Sequence, residues 1–158
     1  MRSQENKQTK EIMTRRSSRK KIIITVDQSD YAEKVMRAAY DVAENIDTDV
    51  DVLTVIETPE LAAAGELDAA QMEEEENKIS KYHKKLIDTN FSGSTLLVES
   101  VILHGNPAKK ICEFAKKVDA SIVVIGTMGH GKIQSKLLGS VSDKVIKNCH
   151  CSVLLVRK

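Results

Sequence analysis

Between Gly126 and Ser142 the chain reads GTMGHGKIQSKLLGSVS, and Gly126, Gly129, Gly131 and Gly139 are four of its seven glycines. Glycine permits positive φ and close approach of a ligand to the backbone, so such a cluster can turn amide groups inward as an anion nest. Ser140, Val141 and Ser142 then open a helix, where free amides and the positive dipole end attract phosphate oxygens. The hydroxyls of Ser140 and Ser142 can add donors, while Lys132 and Lys136 either add positive charge or point into water. The chemistry this suggests is the holding of a nucleotide phosphate. The same glycines also suit a mobile loop that joins a strand to a helix without any ligand. A third reading is a Walker-type loop, since Gly126, Gly131 and Lys132 fit G-x-x-x-x-G-K. Ile133, however, stands where that loop needs Ser or Thr to hold magnesium, which argues against a conventional P-loop.

The elements that must position this segment are legible as alternating runs. Ser121 to Ile125 (SIVVI) is a short apolar strand immediately before the glycines, and Lys21 to Asp27 (KIIITVD) and Val50 to Ile56 are strands of the same kind. Between those two, Ser29 or Asp30 can cap a helix, with Glu33 three residues beyond Asp30. Val35, Met36, Ala39, Val42, Ala43 and Ile46 recur along it at helical spacing. Glu57 to Glu76, with Pro59 and the run Glu73 to Glu76, reads as an exposed connection with a solvated acidic face. It leads into a helix of roughly Ala69 to Asp88, whose apolar face is Met72, Ile79, Tyr82, Leu86 and Ile87. Leu96 to Leu103 is the third strand. Gly105-Asn106-Pro107 then supplies turn, cap and first helical residue for a helix burying Ala108, Ile111, Cys112, Ala115 and Val118. A last helix covers Val141 to Asn148, and Ser152 to Val156 forms the final strand. Strict alternation with apolar strands predicts an α/β fold, an open parallel sheet with helices on both faces. Ligands of such sheets sit beyond the carboxyl ends of the strands where the winding reverses. Asp27 ends the first strand and the glycines follow the fourth, so both face one crevice if those strands are neighbours.

Composition narrows the function classes. The 158 residues, 41% hydrophobic and 30% charged, suit one globular domain. Aromatics at 3% with no Trp argue against a carbohydrate groove or a platform that stacks single-stranded nucleic acid. No apolar run approaches the roughly 20 residues that span a bilayer, and no apolar block follows the basic start as a signal peptide requires. An odd number of cysteines, three, builds no disulfide framework, so a reducing cytoplasm is the expected compartment. Residues 1–21 hold eight Lys or Arg against Glu5 and Glu11, a balance of +6 that leaves the remainder at −5 within a net charge of +1. Residues 1–19 are therefore expected to be a basic, disordered extension, and 20–158 the domain.

The spacing Gly126-x2-Gly129-x9-Gly139-Ser140 resembles the G-2x-G-9x-G-[S/T] signature of nucleotide-binding universal stress proteins. KIIITVDQSDYAEKVMRAAYDVA, HGNPAKKICEFAKKVDASIVVIGTMGHG and LLGSVSDKVIKNCHCSVLLVRK are similar to that family's opening, central and closing sections. The resemblance implies a Rossmann-like, adenine nucleotide alpha-hydrolase-like sheet of five strands in the order 3-2-1-4-5. It also implies roles by position. Asp27 would bind the ribose or adenine end with Thr25 and Val26 beside it, and Val55 and Ile125 would line the base pocket. Gly126, Gly129, Gly139, Ser140, Val141 and Ser142 would hold ribose and phosphates. The implied ligand is ATP with Mg2+, with AMP or a cyclic nucleotide as alternatives. The family further implies a homodimer, made by antiparallel pairing of the last strand through Val153, Leu154, Leu155 and Val156. The alternative is an edge guarded by Arg157 and Lys158.

Other residues that could do chemistry do so less readily. In Cys149-His150-Cys151, adjacent residues of an extended segment point to alternate sides, whereas a closed zinc site needs four converging ligands. Cys112 lies on an apolar helix face and reads as core. His130 could donate to a phosphate from within the loop, while His83 and His104 lack a catalytic partner in the sequence. The resemblance thus implies a nucleotide-dependent stress-response regulator that binds ATP. A slow Mg-dependent ATPase and a nucleotide-free dimeric interaction module are the alternatives.

Overall fold

The computed structural model describes residues 20–46, 48–58, 69–127 and 138–157. Five strands alternate with four helices: β1 (Lys21–Thr25), α1 (Ala32–Ile46), β2 (Asp49–Ile56), α2 (Ala69–Asn90), β3 (Val98–His104), α3 (Pro107–Lys117), β4 (Ile122–Gly126), α4 (Ser140–Asn148) and β5 (Ser152–Val156). The strands form one sheet in the order β3-β2-β1-β4-β5, with every pairing parallel. This is the α/β architecture and strand order expected above.

The strands are nearly continuous apolar runs because both faces are covered. Alternate residues feed two cores. Ile22, Ile24, Val50, Val52 and Val124 point to the face where Val35, Met36 and Ala39 of α1 and Leu86 of α2 lie. Ile23, Leu53, Val123 and Ile125 point to the opposite face, against Ala108, Ile111 and Ala115 of α3 and Val145 of α4. Burial of a Val or Ile side chain contributes roughly 1.5–3 kcal/mol, so these two layers hold the strand ends in place around the crevice.

One buried carboxylate of the sheet is held by an ion pair. Asp51, 1% exposed, takes a 2.8 Å ion pair from Lys21 on β1, and the same ammonium reaches Glu99 on β3 at 2.8 Å. The register makes this possible, since Asp51 stands opposite Ile23 on one side and Glu99 on the other. One lysine thereby ties three strands together near their amino ends.

The third strand runs Val98–His104 rather than Leu96 to Leu103, and two expectations shift around the end of β1. β1 closes at Thr25 rather than Asp27, and α1 starts at Ala32 rather than directly after Ser29 or Asp30. The cause is Asp27: its Oδ1 accepts the Ser29 amide at 3.2 Å and also the Ser29 hydroxyl, which bends the chain out of the sheet. Ser29 then offers its carbonyl, not its side chain, to the Ala32 amide at 3.1 Å. By contrast α3 begins as its sequence predicts, with Pro107 in the first turn and Asn106 Oδ1 accepting the Lys109 amide at 3.2 Å. Among the described residues no helix is long and apolar enough to cross a membrane.

Candidate functional site

From the neighbouring strands β1 and β4 the chain winds outward in opposite directions, toward β3 on one side and β5 on the other. A cleft of about 820 Å³ opens there, beyond the carboxyl ends of the strands. Its size is that of a small-molecule site. Thr25, Val26 and Asp27 enter it from the end of β1, Val55 from β2, and Ile125 and Gly126 from β4. Gly139, Ser140, Val141 and Ser142 enter from the start of α4. Ten of the residues singled out in the sequence thus meet in one crevice. Gly129 lies outside the described residues, as do His130, Gly131, Lys132 and Lys136.

The two ends of the cleft differ in chemistry. At α4 the N-cap is Gly139, in an extended conformation (φ −72°, ψ 159°) with no side chain capping the helix. Its amide donates to Thr127 O at 2.7 Å, and its carbonyl accepts the Asp143 amide at 3.0 Å. The amides of Ser140, Val141 and Ser142 have no hydrogen-bond partner among the described residues. Among the described residues, three donors and the positive end of the helix dipole are thus left at the cleft wall, the arrangement that binds anions. The Ser142 hydroxyl has a different role from the one its position suggested. It is buried and donates to Gly139 O at 3.0 Å, with Thr127 O 3.5 Å away, so its proton is committed to the backbone. The Ser140 side chain, by contrast, is exposed.

At β1, Asp27 uses Oδ1 for both bonds to Ser29, which leaves Oδ2 without a protein partner among the described residues. The backbone here is tightly held. Thr54 Oγ1 donates to Val26 O at 2.8 Å, the Tyr82 hydroxyl donates to Asp27 O at 3.0 Å, and the Val26 amide donates to Leu53 O at 3.0 Å. Burial, followed by the negative charge of Asp27, raises the Tyr82 phenol above its ordinary pKa, so it remains a hydrogen-bond donor. Between the two ends the wall is apolar, with Leu53, Val55, Ile111 and Ile125 on one side and Tyr31 and Val35 on the other. Space at Gly126 is tight: a Cβ there would lie 3.1 Å from Tyr31 Cδ1 and 3.4 Å from Val35 Cγ2, so those side chains would have to give by a few tenths of an ångström.

The sequence profile of the universal stress protein family matches residues 18–157. The chain belongs to the universal stress protein family. A universal stress protein of Methanocaldococcus jannaschii is 35% identical over 144 residues, spanning 88% of this chain and 82% of the relative. Among solved universal stress proteins, one from Archaeoglobus fulgidus in complex with dAMP is 26% identical with a TM-score of 0.63. That match covers 86% of this chain and 96% of the other. Another, in complex with cAMP, shares the fold at 22% identity with a TM-score of 0.69, over 88% and 97% of the two chains.

Four residues of this universal stress protein's cleft region are not among those the sequence marks as site residues. Tyr31 lines the cleft, and its buried hydroxyl has no partner among the described residues. Tyr82 reads as one more apolar residue of α2, yet its hydroxyl fixes Asp27. His83, without a catalytic partner in the sequence, is fully buried between Thr54 and Ser100. Thr54 is the one polar side chain in the carboxyl half of β2, a hint visible only once that half is known to be covered on both faces.

Proposed function

We propose that this chain holds ATP in the cleft between β1 and β4, and acts in the cytoplasm as a stress-response regulator whose conformation or partner changes with the bound nucleotide. The observation that carries this reading is the placement of three amides at the start of α4, unpartnered among the described residues, across one crevice from the Asp27 carboxylate. Phosphate oxygens fit the amides of Ser140, Val141 and Ser142, and Asp27 Oδ2 fits a ribose hydroxyl or an adenine donor. Leu53, Val55, Ile111 and Ile125 offer a flat apolar ring the surface it needs. Relatives in complex with dAMP and cAMP support the adenine class. AMP or a cyclic nucleotide would use the same donors with fewer or differently placed phosphate oxygens. Mg2+ would accompany ATP through the phosphates. The described residues bring together no group of three His, Cys, Asp or Glu able to hold a metal ion, so phosphate and water oxygens would supply most of its ligands. A second copy of the chain would pair along β5, one of the two outer strands of the sheet.

The test separates binding from folding. Aspartate is a better helix N-cap than glycine, so Gly139→Asp should keep or raise the melting temperature while its carboxylate competes for the α4 amides and repels phosphate. Titration calorimetry is expected to show ATP affinity reduced by about tenfold or more in that variant. Mass spectrometry of the freshly purified wild type should reveal an adenine nucleotide. A wild type that carries none, and binds none at millimolar concentration, would overturn the proposal.

A further inference from the structure

Behind the cleft a line of hydrogen bonds crosses four elements. Ser100 Oγ on β3 lies 2.7 Å from His83 Nδ1 on α2, and His83 Nε2 lies 2.7 Å from Thr54 Oγ1 on β2. Thr54 Oγ1 lies 2.8 Å from Val26 O, at the end of β1. The direction of every bond follows from the last one. A carbonyl oxygen only accepts, so the single Thr54 proton goes to Val26. Thr54 must then accept from His83, which places the imidazole proton on Nε2. A neutral imidazole so protonated has an acceptor at Nδ1, and Ser100 must donate to it. The imidazole is fully buried, and burial lowers its pKa from 6.5 to about 4, so the neutral form with one donor and one acceptor is the form present near neutrality.

The end of this chain bears on the nucleotide site. A trans peptide unit points its carbonyl and its amide in opposite directions, and no peptide bond among the described residues is cis. The carbonyl of Val26 shares its unit with the amide of Asp27. The Val26 amide and carbonyl both reach toward β2, to Leu53 O and to Thr54 Oγ1. The Asp27 amide is therefore turned the other way, toward the β4 side, where the cleft lies, and it has no hydrogen-bond partner among the described residues.

We infer that Ser100, His83 and Thr54 are positioning residues that act as one directed hydrogen-bond chain, aiming the Asp27 amide into the cleft as a further donor to the bound nucleotide. The inference rests on the nucleotide reading of the cleft. It assigns an effect on binding to Ser100, which is exposed at the outer edge of the sheet, two strands from β1, and does not line the cleft. It also makes the tautomer of a buried histidine part of the binding site's geometry.

ATP titration of the intact chain, combined with 15N NMR of the imidazole, tests this. Thr54→Val removes the bond to Val26 and is expected to weaken ATP binding by about tenfold, while Thr54→Ser, which keeps the hydroxyl, should recover most of that loss. Ser100→Ala is at an exposed position and should fold normally. It is expected to weaken ATP by about threefold and to let the imidazole populate both tautomers. The wild type should show the proton on Nε2 alone, with a shift of that resonance when ATP is added. Wild-type affinity in both Thr54→Val and Ser100→Ala overturns the inference and leaves the nucleotide reading standing, as does an imidazole protonated on Nδ1. A wild type that binds no adenine nucleotide defeats both.

Discussion

His83 has no exposed surface, and burial holds its imidazole at a pKa of about 4 against an ordinary 6.5. The unfolded chain therefore binds a proton between those values that the folded chain refuses. Because the folded pKa is the lower one, this contribution to stability is complete above about pH 6.5 and declines as the pH falls toward 4. The full difference corresponds to about 3 kcal/mol. His83→Gln lacks the titrating ring, so urea unfolding from about pH 7 down to about pH 4.5 should be steeper with pH for the wild type than for the variant. Parallel curves would show that burial of this histidine is not what sets the acid limit. Little of this was visible in the residue itself. A histidine beside Tyr82 on an amphipathic helix looks the same whether it meets solvent or a threonine, and Thr54 lies 29 positions earlier in the chain.

Elements whose signals are local behaved as their sequences suggest. Asn106 and Pro107 start α3 because a side-chain acceptor and a missing amide both suit the first turn, and neither depends on a distant partner. Pro107 also lines the cleft, so this cap steadies one of its walls. Asn106→Ala is expected to lower unfolding free energy by about 1 kcal/mol, measured by chemical denaturation, with Asn106→Ser losing much less. An unchanged value for the alanine variant would mean that packing of Ala108, Ile111 and Ala115 alone fixes where the helix begins. The start of α1 was read less well. Asp30 and Glu33 suggested a capping box, whereas Asp27 captured Ser29 first and delayed the helix to Ala32. Several hydroxyls and carboxylates compete over a few residues there, and the winner depends on how β1 leaves the sheet.

At the scale of the whole molecule the sheet leaves β5 as one outer strand, its residues Val153, Leu154 and Leu155 only half-buried. Sedimentation velocity is expected to find the wild type dimeric and Leu154→Asp monomeric, with cooperative melting retained in the variant. A monomeric wild type would remove the proposed pairing along this edge. The alternation of strand and helix was legible in the residues, because Ile22 to Ile24 and Ile122 to Ile125 are unbroken apolar runs while Val35, Met36 and Ala39 recur at helical spacing, and such periodicities are local. Gly139 and Ser140, at the start of the last helix, were likewise legible as the setting of an anion site. That β1 and β4 are neighbours was implied by the family resemblance, and the structure shows the pairing that brings Asp27 across from α4. Only the tertiary structure decided that Lys21 reaches Glu99 from 78 positions away, and that Ser100, His83 and Thr54 fall into one line behind Val26. The physical reason is register: parallel strands are joined through long crossovers, so which residue stands opposite which is set by the packing of both cores at once rather than by any short stretch of chain.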